Sequence, residues 1–237
     1  MKETREKTGR IIQTALNEGR QNLLETEAKE ICGEYHMPIP PSEVVRTAQE
    51  ASRAANRIGL PVVLKIVSKD ILHKTEAHGV LLDVRTLLDA EKGFSKVIEN
   101  AREFNSSARI EGVLVQKMVP QGIEVIVGAL TDPHFGQTLM FGLGGVFVEI
   151  LKDVTFRIAP ISSQDAQEMI REINAYPILR GYRGKPPVDE ETLVDIILRA
   201  SEMVMENQEI NQMDLNPVMA YEKGASIVDV RILLQNK

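Results

Sequence analysis

Pro61-Val62-Val63-Leu64-Lys65-Ile66-Val67 is an apolar run with a single lysine at its centre. Its length and its β-branched residues predict a buried strand. A bare ammonium is costly to bury without a partner. Lys65 therefore either turns outward to water through strand alternation, or faces a cleft and pairs with an anion such as phosphate.

Working towards the N-terminus, Gly59 closes a helix that Thr47 can cap and that runs through Ile58. Val44 and Val45 suggest a short strand before it. Pro38, Pro40 and Pro41 end an earlier helix, in which Leu23, Leu24, Ala28, Ile31, Cys32 and Tyr35 recur at helical spacing. Residues 2–20 are a polar helical lead-in.

Working towards the C-terminus, a polar stretch, 68–78, leads to a strand over 79–84, a helix over 88–104 and a strand over 112–118. Pro120-Gln121-Gly122 marks a turn. Strands are expected at 124–129, 137–142, 146–150 and 155–158, with the glycine turn Leu143-Gly144-Gly145 among them. Ser162 or Ser163 caps a helix through Ile173. A loop over 180–187 leads to a helix over 189–206, and strands over 210–219 and 226–232 follow. This pattern is α+β, with a lead-in (1–20), a first lobe (21–118), a second lobe (119–237) and a cleft between the lobes. Ligands prefer such clefts.

Composition narrows the function. The chain has 237 residues, 43% of them hydrophobic, which is enough for one large domain or two small lobes. A net charge of −6 and 4% aromatic residues argue against nucleic acid, which attracts clustered cations and stacking rings. The lone Cys32 allows no internal disulfide and reads as an apolar filler. No segment reaches 18 consecutive apolar residues, and Met1 to Arg20 has no apolar core of a secretory signal. A cytoplasmic protein without membrane contact is expected.

Four groups of residues can carry chemistry. Besides Lys65, His73 lies in the polar stretch Lys69-Asp70-Ile71-Leu72-His73-Lys74-Thr75-Glu76. It is either an ordinary surface histidine or a nucleophile or proton shuttle. His78 could act similarly, whereas His36 and His134 fit turns. Gly142-Leu143-Gly144-Gly145 is either a plain hairpin or a turn whose bare N–H groups approach an anion. No P-loop pattern is present. Asp214 and Asn216 stand two apart in Asp214-Leu215-Asn216-Pro217 and so share a face. Asp229, in Val228-Asp229-Val230-Arg231, can reach that face from the next strand. These oxygens are either a polar pair near a turn or a set suited to Mg²⁺, which keeps waters and adds phosphate oxygens.

The ordered motifs Val63-Leu64-Lys65-Ile66, Asp70-Ile71-Leu72-His73-Lys74, Gly142-Leu143-Gly144-Gly145-Val146-Phe147-Val148-Glu149 and Asp214-Leu215-Asn216-Pro217 resemble the β subunit of ADP-forming acetate–CoA ligases. The match spans about residues 21–234. The resemblance implies an ATP-grasp fold with ATP or ADP between two lobes. It implies that Lys65 contacts the α- and β-phosphates and that Gln116, Lys117, Met118 and Val119 form the adenine-side hinge, mainly through backbone groups. Glu124 would bind the ribose hydroxyls, and the amides of Gly144 and Gly145 would spread transferring charge. Asn216 and Asp229 would hold Mg²⁺, with Asp214 a direct ligand or a neighbour of one. Arg231 and Arg157 are implied phosphate neighbours. His73 matches a histidine that is phosphorylated on a swinging loop, while His78 stands where the family places glycine.

The implied partner is a separate α subunit with CoA-binding and ligase-core domains, in an α2β2 assembly, since fused relatives carry those domains ahead of this one. Two rival readings are another ATP-grasp ligase with an acyl-phosphate intermediate and an amine acceptor, and a non-catalytic nucleotide-sensing subunit.

Overall fold

A computed structural model describes residues 2–71, 73–145, 152–184 and 186–235. The chain divides into two compact units, residues 40–120 and residues 1–39 joined with 121–237. The first lobe was expected to begin at residue 21, but residues 21–39 go with the second unit. The reason is packing. Helix α1 (Lys2–Asn17) precedes α2 (Glu25–Glu34), whose Ala28, Ile31 and Cys32 are fully buried in the same core as Phe141 and Ile196. Cys32 is the expected filler, and burial pushes its thiol up to about 12.

The unit of residues 40–120 contains β1 (Ser42–Val45), α3 (Ala48–Ile58), β2 (Val62–Ser68), β3 (Val80–Val84), α4 (Leu87–Phe104) and β4 (Ile110–Lys117). The strands form an antiparallel sheet in the order β1-β4-β2-β3. Thr47 starts α3 as expected: its hydroxyl accepts the Glu50 N–H at 3.2 Å, and the Glu50 carboxylate accepts the Thr47 N–H at 3.1 Å. This reciprocal cap is worth about 1 kcal/mol. Gly59, at φ 86°, ends the helix. Thr86 caps α4 likewise. Both helices present small residues inward, Ala51, Ala54 and Ala55 on α3 and Ala90, Gly93 and Ala101 on α4, and so lie close together and on the sheet. A methyl group on Gly93 would come within 2.7 Å of Leu64 and Leu81.

The other unit adds β5 (Ile123–Asp132), β6 (Gly136–Leu143), β7 (Val154–Ile158), α5 (Ser163–Glu172), α6 (Tyr176–Leu179), α7 (Glu190–Glu206), β8 (Ile210–Ala220), β9 (Ala225–Ile227) and β10 (Val230–Leu234). Its antiparallel sheet runs β10-β8-β5-β6-β7, with β9 also paired to β8. Helix α7 packs on β5 and β6, α5 on β7 and α2 on β10. Leu193, Ile196, Ile197, Ala200, Met203 and Val204 of α7 are fully buried against Val125, Val127, Leu139 and Phe141. Each fully buried Leu or Ile contributes about 1.5–3 kcal/mol relative to exposure.

Two elements differ from expectation. The short α6 was not foreseen: Pro177 stands in its first turn, and the buried carboxylate of Asp153 holds the chain just ahead of it by accepting the N–H groups of Asn174 and Ala175 at 2.8 and 2.7 Å, a long-range contact. The single expected strand over 226–232 is divided into β9 and β10 at Val228 and Asp229. The strand expected at 146–150 lies outside the described residues. Among the described residues no helix is long and apolar enough to cross a membrane.

Candidate functional site

In the unit of residues 40–120, alternation divides β2 between two faces. Val62, Leu64 and Ile66 join the core under α3 and α4, while Val63, Lys65 and Val67 point to the opposite face. Lys65 lies opposite Leu114, and Val63 opposite Gln116. Lys65 is only 5% exposed and Gln116 only 1%, so the water-facing reading of the lysine fails. The hinge residues after Gln116 are half-buried. The Lys117 ammonium binds the carbonyls of Gly59 and Leu60 at 2.7 and 3.0 Å, closing the end of α3. The N–H groups of Lys117 and Met118 donate to the carbonyls of Pro41 and Pro61. What Lys117 can offer a ligand is thus its carbonyl rather than its charge.

His73 sits on the crossing from β2 to β3. Its side chain is largely exposed, and Nδ1 lies 3.8 Å from Glu76 Oε1. The carbonyls of His73, Lys74 and Thr75 accept the N–H groups of Ala77, Gly79 and His78 at 3.2, 2.8 and 3.0 Å, making one compact turn. His78, at φ 47°, supplies the left-handed residue that ends this turn, a geometry glycine adopts without strain. Ile71 and Ala77, on either side of His73, are buried in the unit's core.

Sequence reasoning missed two contacts around this segment. Arg109 grips Asp70 through its guanidinium at 2.7 and 3.1 Å and its N–H at 2.6 Å. Those bonds hold the Asp70 carboxyl down at about 2. The Asn100 amide donates to the His78 carbonyl at 2.8 Å. Arg109 and Asn100 lie far from His73 in sequence, and no local pattern points to either.

In the other unit, Glu124, Asp214, Asn216, Asp229 and Arg231 occupy the sheet face away from the helices. The intervening Val125, Leu215, Val230 and Ile232 fill the core. Asp214 is paired in register with Arg231 on one side and Gly128 on the other. The N–H of Asn216 donates to the Asp229 carbonyl at 3.2 Å, so these two residues are neighbours at the break between β9 and β10. Asp229 Oδ1 accepts the Val230 N–H at 2.9 Å. Burial raises the Asp214 carboxyl above its usual range and Asp229 adds to the rise, while Asn216 and Arg231 oppose it. Asp214 Oδ1 is buried without a hydrogen-bond partner. Such an orphaned oxygen suits a ligand that supplies positive charge or a donor.

A cavity of about 290 Å³ opens on this face, lined by Ile126, Gly128, Leu130, Met140, Asp214 and Arg231, among others. The Gly144 N–H donates to the Glu124 carbonyl at 2.7 Å, and a methyl group on Gly145 would lie 3.4 Å from Glu124 Oε2. The structure therefore brings Glu124, Gly144 and Gly145 together, and Asp214, Asn216, Asp229 and Arg231 together. Arg157 does not join them. Alternation turns it to the side of α5, where Glu172 and Glu168 hold it at 2.6 and 3.8 Å.

Known proteins match this chain over nearly its full length. The ATP-grasp domain family matches residues 14–234. The β subunit of an ADP-forming acetate–CoA ligase I from Pyrococcus furiosus is 49% identical, over 96% of this chain and 98% of its own. An ADP-forming acetate–CoA ligase I from Archaeoglobus fulgidus is 46% identical over 97% of this chain, which spans 33% of that longer protein. Chains of the dinucleotide-forming acetyl-coenzyme A synthetase 1 of Ca. Korarchaeum cryptofilum superpose over 96% of this chain and 100% of theirs. One, at TM-score 0.90 and 45% identity, has its phosphorylated phosphohistidine segment in a site I orientation. Another, at 0.86 and 44%, binds Mg-AMPPCP with that segment pointing towards the nucleotide site. With its two antiparallel sheets, and with identities this high over the whole chain, this protein belongs to the ATP-grasp family and, within it, to the β subunits of the ADP-forming acetate–CoA ligases.

Proposed function

We propose that the chain, with a separate α subunit, catalyses acyl-CoA + ADP + phosphate ⇌ carboxylate + CoA + ATP, with acetyl-CoA as the acyl donor and His73 as phosphoryl carrier. The observation that carries this reading is that the chain holds both an exposed imidazole on a tethered segment of one unit and a fixed face of oxygen ligands in the other. Phosphoryl transfer needs in-line contact, so a group that serves two separate sites has to travel.

Nε2 of His73 is the nucleophile. Its bond to phosphorus forms as the bond to the previous carrier, a histidine of the α subunit, breaks. In the second half, a β-phosphate oxygen of ADP attacks phosphorus, the N–P bond breaks, and its electron pair returns to the imidazole. Lys65 lies against the α- and β-phosphates, where an ammonium held in a dry site is worth more than in water. The Gln116–Val119 backbone borders the adenine, Glu124 accepts from the ribose hydroxyls, and the Gly144 and Gly145 turn and Arg231 face the phosphates.

Among the described residues no three His, Cys, Asp or Glu side chains gather. A site made of the Asn216 amide oxygen and the Asp229 carboxylate, with Asp214 beside them, nevertheless suits Mg²⁺, which takes few protein ligands and completes its shell with phosphate and water. The orphaned Asp214 oxygen supports that fit. Bound there, Mg²⁺ would neutralise charge on the phosphate oxygens.

An α2β2 assembly in the cytoplasm completes the reading. The test is reconstitution with the α subunit: ATP forms from acetyl-CoA, ADP and phosphate, and mass spectrometry finds an acid-labile phosphate on His73. An amine-acceptor ligase would leave His73 unmodified, and a sensing subunit would bind nucleotide without making ATP.

A further inference from the structure

We infer that Arg109 and Asn100 are positioning residues that park the carrier arm, and that both must let go, with Ile71 and Ala77 leaving the core, before His73 reaches the partner's site. The inference rests on the carrier role given to His73 above. With Ile71 and Ala77 seated in the core, only five residues of chain separate them. Two residues of extended chain span about 7 Å, so the His73 Cα stays within that radius of the Ile71 Cα. An arm this short serves one site. Carrying a phosphoryl group to another subunit demands a longer one, and length is gained only by freeing the anchored ends.

The anchors are built for release. Asp70 and Arg109 meet at the surface, with side chains 27% and 68% exposed, so water can solvate both charges as the pair parts. The Asn100 bond is one side-chain amide on one carbonyl. Ala77 has little apolar surface to lose, so Ile71 is the larger of the two plugs. Because the Asp70 carboxyl is held at about 2, the first latch stays charged at any pH near neutrality and opens by motion rather than by protonation. Gly79 marks the fixed boundary beyond the arm. Its carbonyl accepts the Ile66 N–H at 2.7 Å, and a methyl group there would come within 2.5 Å of the Ile66 side chain.

The experiment uses the two-subunit enzyme. Asp70→Cys/Arg109→Cys places two thiols at the neighbouring ends of β2 and β4, and the only other cysteine of this chain, Cys32, is buried. Oxidation should lower turnover at least tenfold and reductant should restore it, with ADP affinity unchanged in both states. Equal turnover when crosslinked and reduced would overturn the inference.

A second measurement needs no crosslink. In the unmodified enzyme, amide exchange at Ala77, His78 and Gly79 should accelerate at least tenfold during turnover. Asn100→Ala should raise it severalfold at rest without changing exchange in α3. Unaltered exchange during turnover refutes the release step. A wild-type enzyme that makes no ATP would instead refute the proposed function, so the two failures are distinguishable.

Discussion

Residues 40–120 hold His73 on a surface turn tied down at its two ends, with its side chain 62% exposed. Residues 210–234 instead fix Asp214 and Asn216 on a paired strand and Asp229 at the break beside it, where a main-chain bond joins Asn216 to Asp229. The first arrangement suits a group that moves and the second a group that must not. A travelling nucleophile needs slack, whereas charge stabilisation depends on donors that do not reorganise as the reaction proceeds. Substitutions on the two sides should therefore fail differently. Loss of the carrier should abolish chemistry and spare binding, and loss of the fixed donors should weaken both.

The largest expected effect is that of His73→Ala. Overall turnover should fall by at least about 10⁴-fold, since a covalent carrier has no substitute in a positioned water. Nucleotide affinity, read by calorimetry, should stay within about twofold. A large loss of affinity would mean that His73 is part of the nucleotide pocket and that the contrast between the units is misdrawn. Next in size are Asn216→Ala and Asp229→Ala. Each should lower kcat by about 10²–10³-fold, the scale on which losing one preorganised electrostatic group slows a reaction, and should raise the Mg²⁺ concentration needed for half-maximal activity. A change in kcat without any change in Mg²⁺ requirement would remove both residues from the metal site.

The same contrast explains what could be read from the letters. Strands and caps were legible because their causes are local: Thr47 and Glu50 stand three apart and form the cap that this spacing suggests. Lys65 was conspicuous because burying a charge in an apolar run demands a reason, though only the structure excluded the water-facing alternative. Asp214 and Asn216 were legible as a pair through the period of two. The failures share one cause. Arg109 reaches Asp70 across 39 residues and Asp153 holds the approach to α6 from 21 away, so tertiary packing rather than local pattern decides these contacts. Residues 21–39 were assigned to the nearer lobe in sequence, while their apolar stripe belongs to the core of the more distant one. Arg157 was suggested by the resemblance alone, and strand alternation puts it on the helix side of its sheet, against Glu172.

A smaller effect tests the strand end that follows the His73 turn. Gly79→Ala sets a methyl group within 2.5 Å of Ile66 and 3.2 Å of the Lys74 carbonyl. Overpacking of this kind costs about 1–3 kcal/mol, so the urea midpoint should fall while the slope stays constant. If the midpoint is unchanged, β3 can shift where it joins the arm, and the boundary between moving and fixed parts lies further along the chain.

The smallest effect concerns Asp214, on the fixed side. Burial raises its folded-state ionisation above the unfolded value of 3.8, chiefly by desolvating the charge. The sign follows directly: the folded chain holds the extra proton more tightly than the unfolded one, so ionising Asp214 lowers stability as pH rises from 3.8 through the raised value, and the penalty then levels off. A divalent cation beside the carboxylate reverses the preference and expels that proton. Mg²⁺ affinity should therefore weaken by up to about tenfold per pH unit once pH falls below the raised value, and change little above it. In Asp214→Asn this dependence should disappear while any dependence due to Asp229 remains. If the two titrations coincide, Asp214 lies outside the reach of the cation, and its orphaned oxygen answers instead to the Arg231 guanidinium or to a donor on the nucleotide.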